Sequence, residues 1–345
     1  MSTKSDDVSG GILTSAGDLF TDLVTSSSIP APIRKNVFKA LNQLCSAAID
    51  IPVAYLEGIA TEKRAETQSR VKLMTTSGDQ IANQMNVNPE FANAAAKRYS
   101  QKIVREQVNL DKVSEIAVQQ IHQDVIESAS MSNEATEVPA MNEDWLNNFE
   151  KEASQKSTEE MQFLFGKILA GEIQRPSSFS IKTVKLLAEL DNNAAILFRQ
   201  LCSLCVSLKI GNTLIDVRVV SINGDAGSNS LQSYGLQFDN LNILHEYGLI
   251  IPDYNSYQDY QICIIKRNDQ AILPFLYQNR KYVLSTSNER VSNQELRLSG
   301  VKLSRSGIEL MNIIDIEPSE SYTTALTEYF ALQNLQMMEI EIIPA

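Results

Sequence analysis

Apolar side chains recur with helical spacing most densely between Asn142 and Val206, where four amphipathic segments follow one another. Each segment carries its apolar residues three and four positions apart, which brings them onto one helix face. In the longest segment they are Met161, Phe163, Leu164, Phe165, Ile168, Leu169 and Ile173. The pattern predicts helices of roughly 12 to 16 residues that share a core as a central bundle.

The connections between these segments carry residues that begin and end helices. Ser157 starts a capping box, and Arg175-Pro176 ends the following helix because the residue before a proline avoids the helical region. Ser178 or Ser180 is placed to cap the next helix, and Asp191 the last one. Short connections of this kind favour a compact bundle.

Upstream of the bundle, the pattern predicts a helix at Ile33–Ala48 and a long polar helix at Glu62–Met85. Asn88 is an N-cap followed by a proline and an acid, so a second long helix is predicted from Pro89 to about Ser128, with a break near Asn109 as the alternative. Two long helices around one turn predict an antiparallel hairpin. The polar stretch Ser128–Pro139 then predicts a linker.

Downstream of the bundle, apolar residues alternate with period two, which is typical of strands. The predicted strands are Leu214–Ile222, Gln261–Lys266, Ala271–Tyr277 and Lys281–Ser285. Short helices are predicted at Phe238–Tyr247 and at Leu303–Ile314, the latter capped by Ser304 or Ser306. This order is similar to a winged-helix module. The segment in the place of a recognition helix, Phe238–Tyr247, has no Lys or Arg, which favours contact with protein over DNA.

The sequence therefore predicts a mainly α fold. An N-terminal helical region with the long hairpin is expected at residues 1–130 and a central helical bundle at 140–208. A small C-terminal α+β, winged-helix-like module is expected at 209–345. It ends in an acidic tail with a helix about Tyr322–Met338 and a final strand around Ile340–Ile343.

Net charge and composition argue against some classes of function. The net charge of −12 over 345 residues argues against general nucleic-acid binding, because phosphate affinity depends on Lys and Arg. Four cysteines and an N-terminus without a basic, apolar leader indicate the reducing cytoplasm. The chain has no run of about 18 uninterrupted apolar residues, so no membrane-spanning helix is predicted.

Short motifs of the central segment stand together: Asn142-Glu143-Asp144-Trp145, Glu159-Glu160-Met161, Gly166-Lys167-Ile168-Leu169-Ala170-Gly171-Glu172-Ile173, Arg175-Pro176 and Phe179-Ser180. They resemble the pattern of an uncharacterised bacterial family, domain of unknown function 2806. Phe165 stands where that pattern has an aromatic residue, often Trp, and Ser177 stands where it has Gly. The same helix is faintly similar to alpha-type abortive-infection proteins of bacteria. The resemblance implies a shared fold and a bacterial origin.

Motifs for metal binding or catalysis are sparse. Cys202 and Cys205 have the spacing of a zinc knuckle, which Cys263 and His245 would have to complete, but on an apolar helix they are more simply buried small side chains. The Gly-rich loop at 223–228 lacks the Lys-Ser/Thr ending that grips phosphate. We predict no metal and no cofactor.

The polar residues of the central motifs form one candidate site. A partner-binding surface would use Asp144, Trp145, Lys167, Glu172 and Arg175. The alternatives are structural ion pairing, in which Glu172 meets Arg175 three positions on, and a metal-dependent nuclease that uses the acids with Lys167.

A second candidate site lies on the predicted hairpin. Lys97, Arg98, Lys102 and Arg105 make it the most basic part of an acidic chain. They indicate a nucleic-acid or lipid-headgroup contact, or a solvated helix face interleaved with acids. For the apolar stretch Leu44–Ala60, contact with a membrane surface is weighed against burial in a bundle.

Together the patterns favour a non-enzymatic bacterial interaction or regulatory protein that binds a protein partner or forms a homo-oligomer. The abortive-infection likeness alone suggests a role in phage defence. The alternatives are a nucleic-acid-binding regulator that uses the basic hairpin and a metal-dependent nuclease.

Overall fold

The computed structural model describes residues 29–45, 88–128, 138–211, 213–222, 224–265, 273–288, 291 and 294–340. By its contacts the chain divides into two compact units, Met1–Ala188 and Glu189–Ala345. The predicted helix Glu62–Met85, most of the linker and the stretch from residue 46 to residue 60 lie outside the described residues.

The first unit is helical. Its described helices are α1 (Ala31–Leu44), α2 (Pro89–Ser128), α3 (Glu143–Ala153), α4 (Glu159–Gln174) and α5 (Ile181–Glu189), the last of which ends one residue past the boundary. Helix α2 has the bounds that the sequence predicts, and the Asn88 side chain caps it by accepting the Glu90 amide at 2.8 Å.

Helices α2 and α4 run in parallel as the centre of the first unit. Gln162 in the first turn of α4 donates to the Asn109 side chain at 3.2 Å, and Gln174 in its last turn donates to Asp124 at 2.7 Å. Between these contacts Gly166 lets the helices approach closely, since a Cβ there would lie 2.4 Å from Ile116 Cγ2.

The buried side chain of Asn36 ties α1 to the rest of this unit. Its amide donates to the carbonyls of Pro139 and Ile173 at 3.0 and 3.2 Å, and its oxygen accepts the Met141 amide at 3.0 Å. Because each polar atom has a partner, Asn36 is buried without leaving a group unsatisfied.

The second unit is built on an antiparallel sheet of eight strands. They are β1 (Cys205–Ile210), β2 (Thr213–Val220), β3 (Ile250–Ile251), β4 (Tyr257–Asp259), β5 (Phe275–Tyr277), β6 (Arg280–Ser285), β7 (Arg297–Leu303) and β8 (Gln336–Glu339). The order across the sheet is β3-β7-β2-β1-β5-β6-β8, and β4 also pairs with β7.

Helices described in full in this unit are α6 (Asn192–Ser203), α7 (Phe238–Glu246), α8 (Arg305–Met311) and α9 (Glu320–Ala331). Helix α9 packs on the sheet through aromatic residues, with the Phe330 ring 6.0 Å from that of Phe275 and the Tyr322 ring 6.3 Å from that of Tyr277.

The prediction of a mainly α fold with a small winged-helix-like module is wrong, because an eight-stranded sheet organises the second unit. The fourth helix of the predicted bundle, now α6, lies in that unit. The predicted bundle extends to residue 208, but Cys205–Ile210 forms the central strand β1. A short apolar run fits a helix and a buried strand equally well, so periodicity alone does not separate them.

Other boundaries follow the capping residues. Asp191 and Ser304 accept the amides three residues on, as predicted, whereas the cap of α4 is Thr158 in place of Ser157. The predicted tail helix stops at Ala331 because Asn334, at φ 59°, turns the chain into β8.

No helix among the described residues is long and apolar enough to cross a bilayer.

Candidate functional site

The turn after α4 is held by the buried side chain of Glu172. Its two carboxylate oxygens accept the backbone amides of Ser177 at 2.7 Å and Phe179 at 3.0 Å. Buried carboxylates need such donors, so Glu172 acts here as the acceptor that closes the turn. This role accounts for its burial without assigning it to catalysis.

Phe179 is fixed from two further sides. The Trp145 indole N–H donates to its carbonyl at 2.7 Å, which joins the start of α3 to the end of the turn. Its ring lies against Gly171, where a Cβ would come within 2.7 Å of Phe179 Cε2. Trp145, Gly171, Glu172 and Phe179 therefore form one packed corner.

The other predicted members of this site lie nearer the surface. Asp144 is exposed in the first turn of α3, and Arg175 is exposed at the end of α4. The Lys167 amine lies 4.6 Å from the centre of the Phe163 ring, at cation–π distance. Trp145 and Glu172 contact the turn, so these five residues do not form one exposed surface; partner binding by them stays a prediction.

The second candidate site lies on the first half of α2. Near Gln107 and Asn109 this helix meets the ends of its neighbours: Gln107 donates to the carbonyl of Leu44 at 2.8 Å and Asn109 to that of Ser154 at 2.8 Å. Gln162, in the first turn of α4, also contacts Asn109, so α4 begins at the same position along α2. Among the described helices of the first unit, only α2 continues past this level, by 18 residues or about 27 Å.

This first half carries large apolar side chains in water. Phe91 is 66% exposed and Tyr99 is 48% exposed, and Ala95 between them is exposed as well. Positions four apart share a helix face, so the three residues form one stripe. Val104 and Val108 are exposed on the opposite side of the helix.

The four predicted bases are all exposed and divide between these two sides. Arg98 lies seven positions after Phe91 and Lys102 eleven, which places both beside the aromatic stripe, with Arg105 at its border. Lys97 lies on the side of Val104. The Lys102 amine is 3.6 Å from Glu106. We call Phe91, Ala95, Arg98, Tyr99, Lys102 and Arg105 the contact face.

The second unit contains a buried charge cluster that sequence reasoning missed. The Arg218 guanidinium binds the Asp216 carboxylate with two hydrogen bonds, one of them 2.8 Å from Nη2 to Oδ1. Tyr260 donates to the same carboxylate at 3.1 Å, and Arg218 Nη1 donates to the carbonyls of Ser256 and Leu298 at 2.8 and 2.7 Å. The signal was an acid and a base two positions apart in the apolar strand β2.

This cluster stabilises the sheet. Asp216 and Arg218 are both almost fully buried, and Arg218 connects β2 to β7 and to the segment that leads into β4. Burial and the neighbouring Asp216 raise the pKa of the Tyr260 hydroxyl well above its usual range, so it stays a donor.

The cysteines of the second unit are buried thiols. Burial raises the pKa of Cys202 and Cys205, and it raises that of Cys263 to about 12. Thiolates bind metals and react, so these three thiols are poorly suited to either role. Within the described ranges, no three His, Cys, Asp or Glu side chains are grouped so that they could hold a metal ion.

Comparison with known proteins gives one match. The sequence model of a family described as "Protein of unknown function (DUF2806)" matches residues 93–327, well over half of the chain. No curated protein and no solved structure matches. The matched range contains the corner at Phe179, nearly all of the contact face and most of the sheet. The chain therefore belongs to the family of unknown function DUF2806.

Proposed function

We propose that this protein is a non-enzymatic interaction protein that binds an acidic helical segment of a protein partner on its contact face. The observation that carries the proposal is the exposed aromatic stripe of Phe91 and Tyr99 beside Arg98 and Lys102, on a helix that continues past the other described helices of its unit.

The position of the stripe supports a helical partner. Phe91 and Ala95 lie on the side of α2 that carries Val113 and Ile116, the residues next to Gly166 of α4. The same side therefore packs a helix in its second half and exposes large apolar residues in its first half. Amphipathic helices bind such surfaces through apolar residues at helical spacing.

Charge supports an acidic partner. Three bases border the stripe in a chain whose net charge is −12, so this face differs in sign from the chain as a whole. Charges around an apolar contact select the partner and speed its association. The same face of a second copy would place bases against bases, which disfavours a symmetric pairing of this face.

A matched pair of variants tests the proposal. Phe91→Ala/Tyr99→Ala truncates the contact face, and Val104→Ala/Val108→Ala truncates exposed residues on the opposite side of the same helix. Tagged proteins would be purified from the native host with and without nuclease. We expect a nuclease-resistant partner with the wild type and the control, and a loss of at least about tenfold with the first variant, since aromatic anchors dominate interfaces. Equal recovery with both variants would refute the proposal.

A nucleic-acid ligand is the second candidate, because Arg98, Lys102 and Arg105 follow one side of an aromatic stripe. Bases stack on such aromatic residues and phosphates pair with such cations. This candidate predicts a salt-sensitive gel shift of single-stranded DNA or RNA that is lost when Lys97, Arg98, Lys102 and Arg105 are neutralised. A shift that persists in that variant would exclude the basic residues as the ligand site.

A further inference from the structure

The two edges of the sheet differ. At one edge, β3 and β4 both pair with β7 but are only two and three residues long, with residues 252–256 looping out between them. Short, interrupted edge strands with a proline resist pairing with other chains. Pro252 lies in this interruption, so that edge is protected.

The other edge is β8, which pairs with β6 alone. The Ile340 amide donates to the carbonyl of Lys281 at 2.9 Å, so Ile340 belongs to a hydrogen-bonded pair of the ladder. Such pairs alternate along antiparallel strands, so Gln336 and Met338 also point their backbone groups toward β6. The N–H and C=O groups of Met337 and Glu339 point away from the sheet.

The strand β8 has less protection, since its four residues run without interruption and carry one charge. Gln336–Glu339 contains no proline and no lysine, and Met337 and Met338 are only half-buried. Its one charge, Glu339, lies 3.1 Å from Arg280 of β6. The described chain places no strand on the outer side of β8. An edge with free backbone groups and apolar side chains accepts an extended strand.

We propose that β8 pairs in an antiparallel manner with β8 of a second copy of this chain, about a two-fold axis at Met338. In this register Met337 of one copy lies opposite Glu339 of the other, and each such pair exchanges two backbone hydrogen bonds. Met338 faces Met338 across the axis as a non-hydrogen-bonded pair. The contact is isologous, so it closes as a dimer.

The side chains of β8 are compatible with this self-pairing. Like charges directly opposite each other destabilise a strand pair, but Glu339 meets Met337 and Gln336 meets Ile340. The apolar pair, Met338 and Met338 of the second copy, lies on the two-fold axis. The net charge of −12 on each copy opposes association at long range, so added salt will strengthen the dimer.

Cysteine cross-linking tests the register. In a Cys45→Ser background the other cysteines are buried. We expect Met338→Cys to form a disulfide-linked dimer on mild oxidation, because a non-hydrogen-bonded pair brings its two Cβ atoms close enough for a disulfide. Met337→Cys is the matched control, since residue 337 lies opposite residue 339 of the second copy. Equal cross-linking of the two variants, or none in either, would overturn the proposal.

The mass in solution gives an independent test. Glu339→Pro removes an outward N–H and leaves the ladder to β6 intact, so it should give a folded monomer by light scattering. Glu339→Ala removes the same ion pair but keeps the N–H, so it should remain a dimer like the wild type. Circular dichroism of the proline variant checks its fold. A monomeric wild type at about 100 μM, well above typical specific affinities, or a dimeric Glu339→Pro variant, would refute the proposal.

Discussion

At the scale of single residues, the corner around Phe179 gives a structural reason for the motifs on which the family resemblance was based. Gly171 makes room for the Phe179 ring, Glu172 accepts its amide and Trp145 donates to its carbonyl. Each of these residue types is required by a specific contact. The motifs therefore report how the helices of the first unit connect.

Ser177 stands where the resemblance described above implies Gly. Its φ of 73° lies in the left-handed region, which costs an L-residue about 1–2 kcal/mol. We predict that Ser177→Gly raises the free energy of unfolding by up to about 1 kcal/mol. The rest of the relieved backbone strain is offset by the greater conformational freedom of Gly in the unfolded chain.

Urea unfolding measures this difference. Ser157→Gly is the control, because Ser157 is also exposed but lacks a positive φ, and it should be neutral or slightly destabilising. A Ser177→Gly variant less stable than the wild type would show that the serine itself contributes to the turn.

Glu172→Gln tests the role of the carboxylate. An amide side chain offers one acceptor oxygen, so its NH₂ group would face one of the two amides that Glu172 now binds. An unsatisfied buried group of this kind costs about 1–3 kcal/mol. We expect that loss in thermal or urea unfolding, with Arg175→Gln, at an exposed position, changing stability by less than about 0.5 kcal/mol. A fully stable Glu172→Gln protein would contradict the structural role.

Sequence reasoning reached this corner only in part. It identified Trp145 and Glu172 as important and suggested that Glu172 pairs with Arg175. It did not identify the backbone amides of Ser177 and Phe179 as the partners of Glu172, because the presence of a backbone donor does not depend on the type of residue. The exposure of Phe91 and Tyr99 could not be predicted either. The sequence pattern of apolar residues on a helix is the same whether or not another helix covers them.

At the scale of elements, local signals located helices well and strands less well. The start of helix α2 was predicted correctly because Asn88-Pro89-Glu90 combines three start signals, and the helix is continuous where a break near Asn109 was the alternative. Strand β7 was missed because Gly300 and the polar positions of Arg297–Leu303 weaken its pattern. The structure explains that glycine: a Cβ at Gly300 would lie 2.0 Å from the Val219 carbonyl oxygen of β2.

The charge cluster of β2 gives a prediction about the sheet. Arg218→Met removes the guanidinium that binds the buried Asp216 carboxylate with two hydrogen bonds. The Lys302 amine remains 3.8 Å from that carboxylate, so the loss should reach at most about 3–5 kcal/mol. Urea unfolding of the second unit should show this loss. Arg297→Met is the matched control on β7, because Arg297 pairs with Glu295 at the surface and such pairs contribute at most about 1 kcal/mol. Similar losses in both variants would contradict this account of the cluster.

The buried tyrosines of the sheet predict alkaline sensitivity. Burial raises the pKa of Tyr322 well above its usual range of about 10. Since the folded-state pKa is the higher one, the stabilising contribution is fully present below pH 10. It is lost above that pH, where only the unfolded state releases the proton, at about 1.4 kcal/mol per pH unit for each such group.

Tyr322→Phe removes one of these groups. We expect its free energy of unfolding to fall less steeply than that of the wild type between about pH 10 and pH 12, with parallel curves between pH 7 and pH 9. Its overall stability should be lower at every pH, because the Val220 carbonyl loses a donor at 2.9 Å. Identical slopes above pH 10 would show that Tyr322 ionises in the folded protein.

At the scale of the whole molecule, the chain pairs a helical unit that carries an exposed basic and aromatic face with a sheet unit that carries an open edge. Composition predicted the acidic balance and the basic stretch of α2 but not the sheet. Two of its strand pairs, β1–β2 and β5–β6, are hairpins, but β7 pairs with β2 and β8 pairs with β6 across long stretches of sequence. Local patterns do not encode such long-range pairings. We assign partner binding to the contact face.

Photo-cross-linking in the native host tests that assignment most directly. A benzoylphenylalanine at position 91 replaces one aromatic residue with another on the contact face, and the same residue at position 104 samples the opposite side of α2. We expect a covalent adduct to one protein partner from position 91 only, sensitive to protease and resistant to nuclease. An adduct of equal yield from position 104, or none from position 91, would contradict the central claim.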